Sequence, residues 1–249
     1  MKRFKRGFTL IEVSLFLALT ALLFVGIAVG VQNSIYQQRF NDAVQNFAEF
    51  LRTAYSQVLN VQSEGTGRSD KAIYGKLITF NVDSDTGKNV INTYNVIGDV
   101  SNSIGTGTAI GLLEELEGNV VIEEEDAGGG KTYTPVGFVE NYTPRWGAAI
   151  QKSDGSKDPF VGALLIIRHP LSGTVYTYVT DSNVVNENNF SDVLSSEEGG
   201  FKIDAVDFCV NPNGPGEGGV RRDVRVVNNA RNASGIEIVS DAESACERI

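Results

Sequence analysis

KRGFTLIEVSLFLALTALLFVGIAVGV, residues 5–31, is the stretch of this 249-residue chain that decides its architecture. Four basic residues lie within the first six positions, and residues 8–31 contain Glu12 as their only ionisable side chain. A helix of these residues would be about 36 Å long, enough to cross a hydrocarbon core of about 30 Å. We therefore predict a single transmembrane helix, with its basic flank in the cytoplasm and the remainder of the chain outside.

Three simpler interpretations of residues 8–31 compete: a cleaved secretory signal, a plain signal anchor and a buried helix of a soluble domain. The apolar region of a secretory signal usually has about 7 to 15 residues, fewer than here, although Ala28-Val29-Gly30 has the small residues of a cleavage site. A plain anchor leaves Glu12 unexplained, because a carboxylate deep in an apolar helix costs about 3 kcal/mol unless a partner compensates it.

The string Lys5–Val13 (KRGFTLIEV) resembles the N-terminal signal of type IV pilins and type II secretion pseudopilins, in which a prepilin peptidase cuts after the glycine. The resemblance implies cleavage between Gly7 and Phe8, N-methylation of Phe8, and a role in assembly for Glu12, the fifth residue after the cut. It further implies a structural filament subunit rather than an enzyme. Its partners would be related pilin or pseudopilin subunits, the prepilin peptidase and an inner-membrane assembly platform. The precursor would lie in the cytoplasmic membrane and the product in an extracytoplasmic or cell-surface filament.

Electrostatics gives this pattern a physical reason. Gly7 has no side chain to obstruct a protease, and cleavage creates a positive amine at Phe8 just above the apolar segment. In a bundle of helices, Glu12 can meet the amine of a neighbouring subunit, which removes two unpaired charges from lipid. We therefore expect assembly to be favoured over the dispersed membrane pool.

The helical pattern continues beyond Val31 as an amphipathic segment. Apolar side chains at helical spacing predict one buried face that docks on a soluble domain; they are Ile35, Phe40, Val44, Phe47, Leu51, Ala54, Tyr55, Val58 and Leu59. Glycines in Glu64–Gly67 predict the end of a helix that runs from about Phe8 to Gln62. The predicted organisation is a leader at 1–7, a transmembrane and assembly helix at 8–31, an amphipathic half at 32–62 and a head at 63–249.

Short runs of β-branched and aromatic residues between turn clusters predict a β-rich head. The predicted strands are Tyr74–Val82, Val90–Val96, Val120–Glu123, Val136–Glu140, Ala163–Arg168, Thr174–Val179, Phe201–Val210, Val220–Val227 and Gly235–Val239, with a short helix at Leu112–Leu116. The fold class is thus α+β, a long helix packed on a sandwich-like head. In this architecture the chain resembles the H-type minor pseudopilins, while a major pilin head is the alternative.

Cys209 and Cys246 are even in number and lie on the predicted extracytoplasmic side, where disulfides form. A bridge between them would close a loop of about 38 residues and stabilise the fold by about 4 kcal/mol in the chain-entropy model. It would also resemble the C-terminal disulfide loop of many type IV pilins. Two unpaired buried thiols are the alternative.

Asp83 and Asp85 suggest a calcium loop, but Gly87 stands where a third acid belongs and no Glu follows at the twelfth position. A solvated hairpin tip is therefore the preferred interpretation, and no metal or cofactor is predicted. The acidic run Glu123–Asp126 is interpreted as a solvated loop in the same way.

Composition excludes several functions. The chain has 21 basic and 31 acidic residues, a formal charge of −10, so its field repels nucleic acid. We interpret the arginines at 221, 222, 225 and 231 as edge-strand protection or ion pairs rather than a DNA site. The single histidine, His169, is predicted to lie exposed in a turn without a catalytic motif around it. The alternative to a filament subunit is a membrane-anchored extracytoplasmic binding domain, an adhesin or a DNA-uptake minor pilin.

Overall fold

The computed structural model describes residues 9–60, 71–99, 123–125, 131–133, 136–154, 158–169, 172–181, 185, 193, 200–214, 221–239 and 245–246. In these parts of the chain the predicted α+β class is confirmed: one long apolar helix precedes a set of antiparallel sheets. The helix is α1 (Leu10–Leu59). The strands are β1 (Lys71–Val82), β2 (Asn89–Asp99), β3 (Glu123–Glu125), β4 (Lys131–Tyr133), β5 (Val136–Tyr142), β6 (Ala149–Gln151), β7 (Gly162–Arg168), β8 (Val175–Thr180), β9 (Val206–Asn211), β10 (Arg222–Val226) and β11 (Ile236–Ile238).

The chain divides into two compact units, Met1–Asn41 and Asp42–Ile249, and α1 contributes residues to both. In the first unit, the described part of α1 has apolar side chains exposed on all sides. Among the described residues, α1 is the one helix long and apolar enough to span a membrane. The second unit contains the remainder of α1 and every described strand.

The larger sheet of the second unit has five strands in the order β5-β2-β1-β7-β8. In this sheet β1 and β2 form the predicted hairpin, with Asp83–Gly87 as its polar turn. The strands β7 and β8 form the second predicted hairpin. β7 is buried along almost its whole length, which explains its unbroken apolar sequence.

The smaller sheet has the order β11-β10-β9-β6, and β3 pairs only with β4 among the described strands. The predicted strand segments near Val210, Val226 and Ile238 all belong to the smaller sheet. β6 was not predicted, because at three residues it is too short for a periodic pattern.

Aromatic rings form the centre of the core between α1 and both sheets. Phe47 of α1 contacts Phe80 of β1 and Phe208 of β9, with ring centroids 6.4 and 5.4 Å apart. Phe208 also lies 4.8 Å from Phe160. The two sheets therefore share one aromatic cluster, while the sandwich-like arrangement of the head stays a prediction.

A buried hydrogen-bond chain ties α1 to the strands. The Thr177 hydroxyl of β8 donates to the Ala230 carbonyl at 2.6 Å, so the Tyr55 hydroxyl of α1 must donate to Thr177 at 2.7 Å. Burial raises the pKa of Tyr55, which keeps the donor protonated. The buried face of α1 that includes Tyr55 is thus fixed to the strands by hydrogen bonds as well as by apolar contacts.

Three predictions need correction. Ile35 and Leu59 are 43% and 40% exposed, because the buried face of α1 is shorter than its apolar pattern. Residues Glu123–Glu125 form β3 rather than a loop, since pairing with β4 outweighs their low strand propensity. His169 is buried, not exposed. The predicted helix at Leu112–Leu116 and the helix stop at Glu64–Gly67 lie outside the described residues.

Candidate functional site

The first turn of α1 contains a reciprocal capping arrangement. The Thr9 backbone N–H and the Thr9 hydroxyl both donate to Oε2 of Glu12 at 3.0 Å. In return, the Glu12 N–H donates to the Thr9 hydroxyl oxygen at 3.3 Å. This is a capping box, in which two side chains three positions apart satisfy backbone groups that a helix end leaves without partners.

The capping box adds a role to Glu12 that the sequence analysis missed. Its signal was present in the sequence as Thr9-Leu10-Ile11-Glu12, the threonine-x-x-glutamate spacing ahead of an apolar run. Both bonds from Thr9 fall on Oε2. Gly7 and Phe8, the predicted cleavage and methylation positions, lie outside the described residues.

Beyond this turn and as far as Tyr36, the described large apolar side chains of α1 lie exposed on every side. Leu22, Leu23 and Phe24 are 74%, 65% and 73% exposed, so successive positions around the helix all face outward. A methyl group added at Gly26 or Gly30 would meet nothing within 4 Å. A surface this apolar is suited to lipid or to other helices rather than to water.

The second candidate site is the C-terminal disulfide. The structure joins Cys209 of β9 to Cys246, which fits the pairing expected from the resemblance. Asp223 of β10 stands opposite Cys209 in the strand register, and its Oδ2 accepts a hydrogen bond from the Ala245 N–H at 3.1 Å. The disulfide and the carboxylate therefore hold neighbouring residues, 245 and 246, to the same sheet.

The Asp223 carboxyl is buried, and among the described residues its Oδ1 has no hydrogen-bond partner. Burial raises the pKa of Asp223 to about 6, helped by the adjacent Asp207 charge and opposed by the Ala245 amide and Arg225. Arg225 bonds Asp207 at 2.5 Å and reaches Asp223 at 3.5 Å. Arg225 thus lies in an ion-pair group on the interior strand β10, as the ion-pair interpretation expected.

Asp83 and His169 have structural partners. Asp83 Oδ1 accepts hydrogen bonds from the Asp85 and Thr86 N–H groups at 2.9 and 2.8 Å, and these bonds lower the pKa of Asp83. Asp83 therefore holds the hairpin turn. In the described parts of the chain, no three His, Cys, Asp or Glu side chains come together as a metal site would need. His169 Nδ1 accepts from the Ser172 N–H at 3.2 Å and closes the β7–β8 turn.

A cleft of about 380 Å³ opens in the head between the second half of α1 and the edge strand β5. It was not predicted, because its lining comes from segments almost a hundred positions apart. Its lining includes Asn46, Phe50, Thr53, Gln57, Thr93 and Glu140.

Comparisons of the chain with protein-family models, with curated proteins and with solved structures found no match.

Proposed function

We propose that the chain is a structural subunit of a type IV pilus or of a related pseudopilus filament. The observation that carries the proposal is the string Lys5–Val13 directly ahead of an apolar helix that the described chain leaves uncovered. In this account the precursor spans the cytoplasmic membrane once, prepilin peptidase removes residues 1–7, and the helix polymerises with related subunits on an assembly platform. The head is carried outside the membrane.

Glu12 would perform two tasks in this account. Within the subunit it caps α1 through Thr9, and between subunits it pairs with the amine of a neighbouring Phe8. Removal of a partner from a desolvated ion pair costs about 3 kcal/mol or more, so the second task contributes more free energy than a helix cap of about 1 kcal/mol.

The test is mass analysis of the N-terminus of protein isolated from its own membranes. A filament subunit starts at an N-methylated Phe8. A plain anchor retains Met1, and a secreted protein starts after about residue 30. Either of these two results would exclude the proposed processing.

The second candidate function is a membrane-anchored binding domain that does not itself build the filament. The cleft beside β5 favours it, because a concave site with convergent polar groups suits a ligand. Purification of sheared surface filaments separates the two, since a filament subunit copurifies with them in regular proportion and an anchored domain stays in the membrane fraction.

A further inference from the structure

The cleft between α1 and β5 has an aromatic floor. The rings of Phe50 and Tyr142 are stacked with centroids 4.3 Å apart, and the Tyr142 hydroxyl donates to Oδ1 of Asn46 at 3.0 Å. Tyr142 is nearly buried, whereas Phe50 is half-buried. The remaining exposed surface of Phe50 gives the cleft a flat apolar patch, fixed in position by the stack and the tyrosine hydrogen bond.

Most polar groups of the lining are neutral. Asn46, Thr53, Gln57, Asn141 and Thr143 contribute amides and hydroxyls, which can both donate and accept hydrogen bonds. A ligand that carries several hydroxyl groups has the same dual character. A flat apolar ring face with a polar rim is therefore complementary to this lining.

The two carboxylates at the cleft already have cations nearby. Glu49 pairs with Arg52 at 2.7 Å. Burial lowers the pKa of Lys76, and the nearby Glu140 carboxylate partly opposes that effect. Neither carboxylate therefore requires a cationic ligand, and both would repel an anionic one. Arg145, exposed at the rim, remains as a donor to ligand oxygens.

Thr93 points to an occupant most directly. Its residue is 2% exposed, it lines the cleft, and its hydroxyl has no hydrogen-bond partner among the described residues. A buried hydroxyl without a partner is destabilising. The Thr93 oxygen has almost no accessible surface, so a ligand group bonds it only when the side chain shifts toward the cleft, and that bond recovers the cost.

We propose that this cleft binds a neutral saccharide of one or two hexose units, with one ring face on Phe50 and its hydroxyls bonded to the amide and hydroxyl groups of the lining. A volume of about 380 Å³ is at the small end of ligand sites, which suits such a ligand. Because every lining residue belongs to the second compact unit, Asp42–Ile249, we expect this binding to be independent of filament assembly.

The experiment uses the full chain in dodecylphosphocholine micelles, since glycoside detergents would themselves compete for the cleft. Saturation-transfer NMR is recorded with neutral hexoses, N-acetylhexosamines and their disaccharides, together with a uronic acid and an unacetylated hexosamine. We expect transfer to at least one neutral saccharide and none to the charged ones. Absence of transfer to every neutral saccharide, or preference for a charged one, would overturn the proposal.

Two variants locate the binding. Thr53→Tyr places a ring in the cleft from an exposed helix position and should weaken binding at least tenfold, whereas Gln45→Tyr adds the same ring at an exposed position of α1 outside the lining and should not. Thr93→Val should weaken saccharide binding and raise the unfolding temperature of the saccharide-free protein, since it removes the unpartnered hydroxyl. Equal binding by the Thr53→Tyr and Gln45→Tyr proteins would place the ligand elsewhere and contradict the assignment.

Discussion

The two halves of α1 carry similar apolar side chains in opposite environments. In the first half, Leu22 and Phe24 are 74% and 73% exposed, whereas in the second half Leu51 and Phe47 are fully buried. The second half is covered by strands of its own chain, so folding alone supplies its hydrophobic stabilisation. The first half has no such cover among the described residues, and in the proposed account its stabilisation comes from lipid or from other subunits. One continuous helix therefore has a second half that packs into its own chain and a first half that the described residues leave exposed.

Blocking the predicted cleavage should affect the function of the first half of α1 most strongly and leave the head folded. Gly7→Val places a side chain at the predicted cleavage position and should leave the full-length precursor in the membrane with its head folded and no filament formed. Immunoblots of membrane and sheared-filament fractions measure this effect, which we expect to be all-or-none. A product shortened as in the wild type would contradict the pilin-like processing.

The disulfide should matter for the head alone. Cys209→Ala combined with Cys246→Ala should lower the free energy of unfolding of the head by about 4 kcal/mol in the chain-entropy model. Denaturant unfolding of the full chain in micelles, with reduced wild-type protein as the control, provides the measurement. An unchanged unfolding midpoint would show that the disulfide does not contribute to the stability of the head.

Glu12 should matter for the first half alone, and two substitutions divide its tasks. Glu12→Gln keeps the capping box, because glutamine serves in that position, but it removes the charge. Glu12→Ala removes both. If the ion pair with a neighbouring amine drives assembly, both variants lose about 3 kcal/mol per contact. Both then fail to form filaments, although the amount of each protein in the membrane stays normal. A filament yield from Glu12→Gln equal to that of the wild type would show that Glu12 acts only as a helix cap.

The buried Asp223 gives the head a pH dependence. Its folded-state pKa of about 6 lies above the ordinary 3.8, so its stabilising contribution is full below about pH 4 and is lost as pH rises through about 6. Asp223→Asn should therefore gain stability relative to the wild type by about 2 kcal/mol between pH 4 and pH 7. Unfolding curves across this range test it, with Asp85→Asn at the exposed hairpin tip as the control for a lost charge. A constant difference between Asp223→Asn and the wild type would contradict the raised pKa.

Local signals account for what could be predicted. Three elements could be predicted from neighbouring residues alone: the apolar part of α1, the hairpin turn Asp83–Gly87 and the buried strand β7. The same holds for the capping box of Thr9 and Glu12, whose spacing is visible in the sequence although its meaning was overlooked.

Features made by distant partners could not be predicted in this way. His169 is predicted to be exposed, but the surrounding chain covers its ring. The pairing of Glu123–Glu125 with the nearby strand β4 is local instead, and the charge of these residues hides it. The cleft is the extreme case, because Phe50 and Tyr142 stack across 92 positions and Thr93 joins them from a third segment. Pairing and packing between separate segments determine these features, and no local pattern records them.

The central claim is that other subunits cover the first half of α1. A photoreactive benzoylphenylalanine at Leu22, an exposed position in the middle of that half, tests this claim in living cells. The account predicts cross-links to the N-terminal helix of another copy or of a related subunit, identified by mass spectrometry and abolished when Gly7→Val blocks processing. Adducts to lipid alone, unchanged between the processed and the unprocessed protein, would contradict it.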